Sequence, residues 1–124
     1  MTDAPRWVRF WFRGAAIYGT VALVGSLFGP AAPPAALLPQ LAFTFTALAF
    51  QFVFFLIGGD PVRYRPMMLA GVAEKLAFGA PALWLASAGM APPAVMPFAL
   101  IDLALGAGFL LAWRATPRLA RAPA

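Results

Sequence analysis

Apolar positions along this chain fall into four blocks, Gly14 to Gly29, Leu37 to Ile57, Pro66 to Ala86 and Ala94 to Trp113, and the charged positions gather mostly in the breaks. Crossing about 30 Å of hydrocarbon takes roughly 20 helical residues, and each block approaches that length. The first is short by itself, but Phe10, Trp11 and Phe12 extend it backwards and Pro5 is suited to open the helix. The pattern predicts an all-α integral membrane protein, an antiparallel bundle of four transmembrane helices forming one domain over residues 1–124. There is no internal repeat and no hydrophilic stretch long enough for a second domain.

Two competing patterns are weaker. The segment Phe43 to Phe55 alternates in part, as a barrel strand would. A transmembrane strand needs only ~9 to 11 residues, however, and an open sheet leaves its backbone unsatisfied in lipid. The N-terminus also resembles a secretory signal, with basic residues from Arg6 to Arg13, an apolar stretch, and small residues near Ala31 and Ala32. Trp7, Phe10, Trp11 and Phe12 are unusual in the charged part of such a signal, and the proline-rich segment after Gly29 serves equally well as a tight turn.

The breaks differ in charge. GPAAPPAA (Gly29 to Ala36) and SAGMAPP (Ser87 to Pro93) carry none, whereas GGDPVRYR (Gly58 to Arg65) carries Arg63 and Arg65. Arg6, Arg9 and Arg13 precede the first span, and Arg114, Arg118 and Arg121 follow the fourth. The three clusters share one side of a membrane only if the number of crossings is even. Because positive loops stay inside, both termini are expected in the cytoplasm.

Composition narrows the classes. The chain is 63% hydrophobic and 10% charged, against roughly 45 to 50% and 25% for soluble domains, so the excess apolar surface must meet lipid. A net charge of +5 would suit nucleic acid, but the basic residues sit at the ends of apolar runs, where they fix orientation, so no nucleic-acid partner is expected. With no cysteine or histidine, thiol chemistry, disulfides and thiolate or imidazole metal sites are excluded, and neither a metal nor a cofactor is expected. The preference for arginine, alanine and proline fits a GC-rich bacterial genome and hence a bacterial inner membrane.

Three ionisable residues lie inside the blocks: Glu74, Lys75 and Asp102. A charge at bilayer centre costs roughly 2.5 to 3.5 kcal/mol even on the lenient insertion scale, so each should face the bundle interior and find a partner. At 1.5 Å per residue, Glu74 lies about 12 Å from Pro66, Lys75 about 13 to 14 Å, and Asp102 about 16 to 17 Å from Trp113. The third and fourth helices are antiparallel neighbours, so Lys75 is expected to pair with Asp102, leaving Glu74 about 100° around its helix. Tyr18, Thr20, Thr46 and Gln51 fall at similar depths and extend this to a polar layer in all four helices. Glu74 is the candidate acid or base, with Tyr18, Gln51, Lys75 and Asp102 as a binding cluster. The same residues could instead tie the helices together, or the charged ones could snorkel to the surface.

Other features are less specific. Arg6, Arg9 and Arg13 share one helical face and Trp7, Phe10 and Trp11 another, the arrangement of an interfacial anchor. In GGDPVRYRP, Asp60 can cap and Pro61 can open a short turn to Arg65, with the true span beginning at Pro66. Arg63, Tyr64 and Arg65 can contact a headgroup or other anion, since guanidinium forks match phosphate and carboxylate. Small-residue pairs, Gly25 with Gly29, Gly71 with Gly79 and Ala104 with Gly108, suggest packing faces. Phe43, Phe50 and Phe54 form a stripe suited to lipid or core.

Over DPVRYRPMM (Asp60 to Met68), Glu74-Lys75 and IDLALG (Ile101 to Gly106), nearly the whole chain resembles a class of small bacterial four-helix membrane proteins with no assigned activity. The resemblance implies the same architecture and membrane, and carries over no functional residue. Small multidrug transporters hold a glutamate in their first span, where this chain has none. The leading expectation is a binding or accessory protein that grips a small lipophilic ligand or serves a membrane-protein partner within the bilayer. The alternatives are a membrane-embedded enzyme working on a lipid or isoprenoid-like substrate by acid/base chemistry, and a homo-oligomeric proton-coupled transporter.

Overall fold

The computed structural model describes residues 3–120, so Arg121 lies outside the described residues. It contains four helices: α1 (Arg6–Ser26), α2 (Pro34–Gly59), α3 (Met67–Ser87) and α4 (Val95–Ala115). Three of them, α2, α3 and α4, are long and apolar enough to cross a membrane. The first helix is 21 residues long but carries Arg6, Arg9 and Arg13 in its opening turns, which dilutes its apolar character.

Prolines set the starts. Pro5 and Pro33 are extended, with ψ of 147° and 150°, and each immediately precedes a helix. Pro34 takes the first position of α2, where a missing N–H costs nothing. That is why α2 begins three residues before the apolar block at Leu37. Pro39 and Pro81 are accommodated inside α2 and α3.

The connection between α2 and α3 is a short helical turn. The Tyr64 N–H donates to the Asp60 carbonyl (3.1 Å) and the Met67 N–H to the Tyr64 carbonyl (2.9 Å). The Asp60 carboxylate accepts from the Arg63 N–H (3.3 Å), so it caps the turn as its position suggests. At the end of α3, Gly89 takes φ of 71°, a left-handed conformation that a side chain would strain. The Met90 N–H then reaches the Leu85 carbonyl (2.8 Å) and the Gly89 N–H the Ala86 carbonyl (3.2 Å), closing α3 with a Schellman motif.

Two tight hairpins result, α1 with α2 and α3 with α4, and thinner seams join α1 to α4 and α2 to α3. The cross-section is therefore a ring in chain order. Its buried core lies toward the end where α1 begins and α4 ends, with Val8, Phe12, Ala15, Phe54, Ile57, Met68, Phe109 and Ala112 packed together. Phe12 stacks on Phe109 at 4.2 Å between centroids, and Phe54 meets Phe109 at 4.8 Å. The outer surface is apolar too, with Phe28, Leu38, Phe52, Trp84 and Leu111 all turned away from the interior.

Arginines from separate parts of the chain meet at this core end. Arg9 donates from Nη1 to the Gly59 carbonyl at the end of α2 (2.7 Å) and from Nη2 to Asp3 (3.0 Å). The Ala4 N–H and then the Arg9 guanidinium hold the Asp3 carboxyl below the usual aspartate range. Arg13 lies over the Phe55 ring at 4.8 Å. Arg65 donates from Nε to the carbonyls of Trp113 (3.0 Å), in the last turn of α4, and of Thr116 (2.8 Å), just after it.

Some small-residue expectations fail. A side chain at Gly25 would meet nothing within 4 Å, and Gly29 lies beyond the end of α1, so this pair makes no packing face. Ala104 is exposed while Gly108 is buried. Gly71 and Gly79 do face the interior, against Phe54, Phe109 and Leu103.

Candidate functional site

The adjacent residues Glu74 and Lys75 point about 100° apart from α3, and the packing of that helix decides which turns inward. Lys75 shares a face with Gly71 and Gly79, one turn to either side, and this small face seats against α4. A Cβ on Gly106 would come within 3.0 Å of Lys75 Cβ, so the lysine stem lies directly on α4 backbone. Only 2% of Lys75 is exposed, which removes any snorkelling of its ammonium.

The Lys75 ammonium sits 3.4 Å from Asp102 Oδ1 and 3.5 Å from Glu74 Oε2, and 5.3 Å from the centroid of the Phe54 ring. The contact with Asp102 follows from matched depth. Glu74, expected to stand apart, is instead a third member: the flexible four-carbon lysine stem and the glutamate arm together span the angular offset. Two carboxyl groups thus share one ammonium. The buried Glu74 Oε2 lies in ion-pair range of Lys75 without a hydrogen bond of good geometry.

The polar layer is smaller than expected. Thr20 and Thr46 face outward, and the Thr20 hydroxyl donates back to the Ala16 carbonyl (2.7 Å). Gln51 is buried, but its amide donates to the Ala47 carbonyl (2.9 Å) and its Oε1 is pressed against Gly19, where any side chain would collide. It borders a surface pocket between α1 and α2 and does not join Glu74.

Tyr18 does reach the acids. With Glu74 and Asp102 it lines a cavity of about 200 Å³ whose walls come from all four helices: Gly19, Ala22, Leu23 and Ser26 of α1, Phe43 and Ala47 of α2, Phe78 of α3 and Phe98 of α4. The cavity runs from the level of Ser26 and Phe98, near the helix ends away from the arginines, down to the Glu74 and Asp102 carboxyls. Eight residues separate Tyr18 from Ser26, about 12 Å of rise. Beneath the floor lie Lys75 and then the Phe12, Phe54 and Phe109 cluster, which closes the way to the basic end. A wider pocket of about 620 Å³ between α2 and α3 shares Phe43, Ala47, Glu74 and Phe78 with it, so Glu74 borders both spaces along the thin seam.

Those aromatic walls carried a sequence signal that went unused. Phe78 follows Glu74 by four residues and Phe98 precedes Asp102 by four, so each ring shares a helix face with an acid. Trp11 had no comparable signal. Its indole N–H donates to the Leu105 carbonyl of α4 (3.1 Å), and its ring occupies the space that a side chain on Gly108 would need.

At the basic end, the anion-contact residues separate. Arg63 and Arg65, with Arg118 from the segment after α4, line a cavity of about 290 Å³ that also includes Val62, Pro66 and Leu119. Tyr64 packs instead against the apolar core.

Among the described residues no group of three histidine, cysteine, aspartate or glutamate side chains is placed to hold a metal ion. No protein-family model matches the chain, and no curated protein or solved structure matches it. The site must be interpreted through its own chemistry.

Proposed function

We propose that this chain spans a bacterial inner membrane four times, with both termini in the cytoplasm, and binds a small lipophilic molecule in the cavity above Glu74 and Asp102. The observation that carries the proposal is the cavity: all four helices line it, its walls are aromatic and small apolar side chains, and its floor holds two carboxyls sharing one ammonium. Ligand sites of this kind combine apolar walls with a few convergent polar groups that fix orientation. The apolar part of a ligand would lie against Phe43, Phe78 and Phe98, while a hydroxyl, amine or other donor would meet a carboxyl. The wide pocket along the α2–α3 seam gives a lateral route from the bilayer to Glu74.

Compartment rests on the preference for arginine, alanine and proline, and orientation on where the arginines sit. Charges that fix topology stay inside, and the three basic clusters gather at one end of the bundle.

The test is extraction and mass spectrometry of lipophiles that copurify with the full chain. Ala22 lines the cavity, so Ala22→Phe should fill it, leave the bundle folded, and remove a species that the unaltered protein retains. Equal retention by both proteins would end the proposal.

A second reading, acid/base catalysis on a lipid or isoprenoid-like substrate, draws on Glu74 Oε2, which is buried without a hydrogen bond of good geometry. Glu74→Gln separates the two. A binding protein holds its ligand more weakly in that variant but still retains it through Asp102 and the apolar walls, whereas an enzyme loses turnover altogether.

A further inference from the structure

The cavity at the basic end, remote from the proposed ligand site, is built from two segments far apart in sequence. The α2–α3 turn supplies Val62, Arg63, Arg65 and Pro66, and the segment following α4 supplies Arg118 and Leu119. Three arginines line it. Like charges do not gather at no cost, and the ion pairs among the described residues are Arg9 with Asp3 and Lys75 with Glu74 and Asp102. Among the described residues no carboxylate forms an ion pair with the Arg63, Arg65 or Arg118 side chain, and the nearby Asp60 carboxylate is engaged by the Arg63 N–H.

One of the three is fixed in position. The single Nε–H of Arg65 is shared by the Trp113 and Thr116 carbonyls, and its guanidinium lies over the Trp113 ring at 4.5 Å from the centroid. This leaves the four Nη hydrogens of the fork for another partner. Thr116 is itself held, buried and donating from Oγ1 to the Ala112 carbonyl (2.7 Å). Its extended conformation ends α4 and turns the chain back, bringing Arg118 to the α2–α3 turn. The arrangement offers an anchored fork flanked by two exposed arginines, beside apolar surface from Val62, Pro66 and Leu119.

From this geometry we infer that Arg63, Arg65 and Arg118 form a binding site for an anionic phosphate group. Guanidinium forks match phosphate oxygens two at a time, and three of them supply the positive field that the local protein charge leaves uncompensated. The same chemistry would hold a lipid phosphodiester or a free phosphate, and the adjoining apolar residues suit the acyl and glycerol portion of a lipid.

The experiment uses the full chain, delipidated in a neutral detergent and titrated separately with dioleoyl phosphatidylglycerol, dioleoyl phosphatidylcholine and inorganic phosphate, with occupancy read by native mass spectrometry. One phosphatidylglycerol should bind more tightly than phosphatidylcholine. Arg63→Gln and Arg118→Gln should each weaken it about five-fold, the worth of one basic residue near an anionic surface. Arg114 is exposed at the same end but does not line the cavity, so Arg114→Gln should change nothing. Circular dichroism of each variant controls for folding. If inorganic phosphate displaces the lipid with the same arginine dependence, the site stands and its occupant is free phosphate. Equal binding of both lipids, equal effects of Arg114→Gln and Arg118→Gln, or no effect of Arg63→Gln and Arg118→Gln would each overturn it.

Discussion

Lys75 is the residue on which the interior depends most. Its ammonium is the one cation beside two carboxyls among the described residues, and removing one partner of a buried ionic group costs about 3 kcal/mol or more. Lys75→Met keeps the length of the stem against Gly106 but strands both acids, so unfolding in mixed detergent micelles should show a loss of that size. Exchanging charges by combining Lys75→Asp with Asp102→Lys should recover part of what the single changes lose. Full recovery is not expected, because the ammonium would then arise from α4 and have to reach both carboxyls across the seam. Strict additivity of the two single losses would show that the residues are not coupled. Helical rise alone made the Lys75–Asp102 contact legible in the sequence. Glu74, placed in the same cluster by the sequence but offset around its helix, reaches the ammonium because an angular offset on a helix constrains Cβ positions, not the tips of long side chains. Gln51 stays apart from the acids because its Nε2 donates to the Ala47 carbonyl of its own helix, while its Oε1, buried without a hydrogen-bond partner, is pressed against Gly19. A second prediction concerns glycines. Gly108→Ala should displace the Trp11 indole from the Leu105 carbonyl and cost about 1 to 3 kcal/mol, as overpacking does. Gly14→Ala meets open space and should gain about 0.5 to 1 kcal/mol from helix propensity. The two stability changes should have opposite signs in the same unfolding assay.

Helices were more legible than their ends. Runs of apolar residues located α2, α3 and α4 because only isolated prolines and a few polar or ionisable residues interrupt them, and Pro5 and Asp60 announced a start and a turn. The early start of α2 was missed because hydropathy does not register the Pro33-Pro34 pair, whose fixed φ begins the helix before its apolar face does. The arginines were read as markers of orientation and headgroup contact, which overlooked their work on helix ends. Arg9 and Arg65 satisfy terminal carbonyls of α2 and the chain just beyond α4, groups that carry partial negative charge and lack helical partners. Arg65→Gln should therefore lower stability by about 1.5 to 3 kcal/mol, the worth of a charged hydrogen bond. Arg63→Gln, whose side chain is exposed, should leave stability nearly unchanged, and differential scanning calorimetry distinguishes the two. The Asp3 carboxyl, held by the Ala4 N–H and then by Arg9, adds a pH dependence of known sign. A carboxyl whose pKa is lowered by folding stabilises the fold above the usual aspartate range, and that contribution fades as pH falls through the lowered value.

The molecule as a whole is polarised along its axis. Toward the basic end lies a packed aromatic core, and toward the other end lies the cavity that stops at Glu74 and Asp102. Such a shape gives a water-soluble reagent access from one face alone, with the α2–α3 seam open to lipid only, provided that the bundle spans a bilayer with the proposed orientation. The chain contains no cysteine, so single cysteine variants report accessibility without background. In sealed inside-out and right-side-out vesicles, a membrane-impermeant thiol reagent should label Arg118→Cys and Arg63→Cys from the cytoplasmic face. Met90→Cys should label from the opposite face. Ser26→Cys and Ala22→Cys, on the cavity wall, should label from the same face as Met90→Cys, with Ala22→Cys slower because it lies a turn deeper. Phe109→Cys, within the closed core, should resist the reagent from either face. Labelling of Met90→Cys and Arg63→Cys from one common side would remove the four-span topology, and with it the separation of a ligand cavity at one surface from a phosphate site at the other. Entry of the reagent to Phe109→Cys from the cytoplasmic side would leave the topology intact and show instead that the aromatic cluster does not seal the cavity floor.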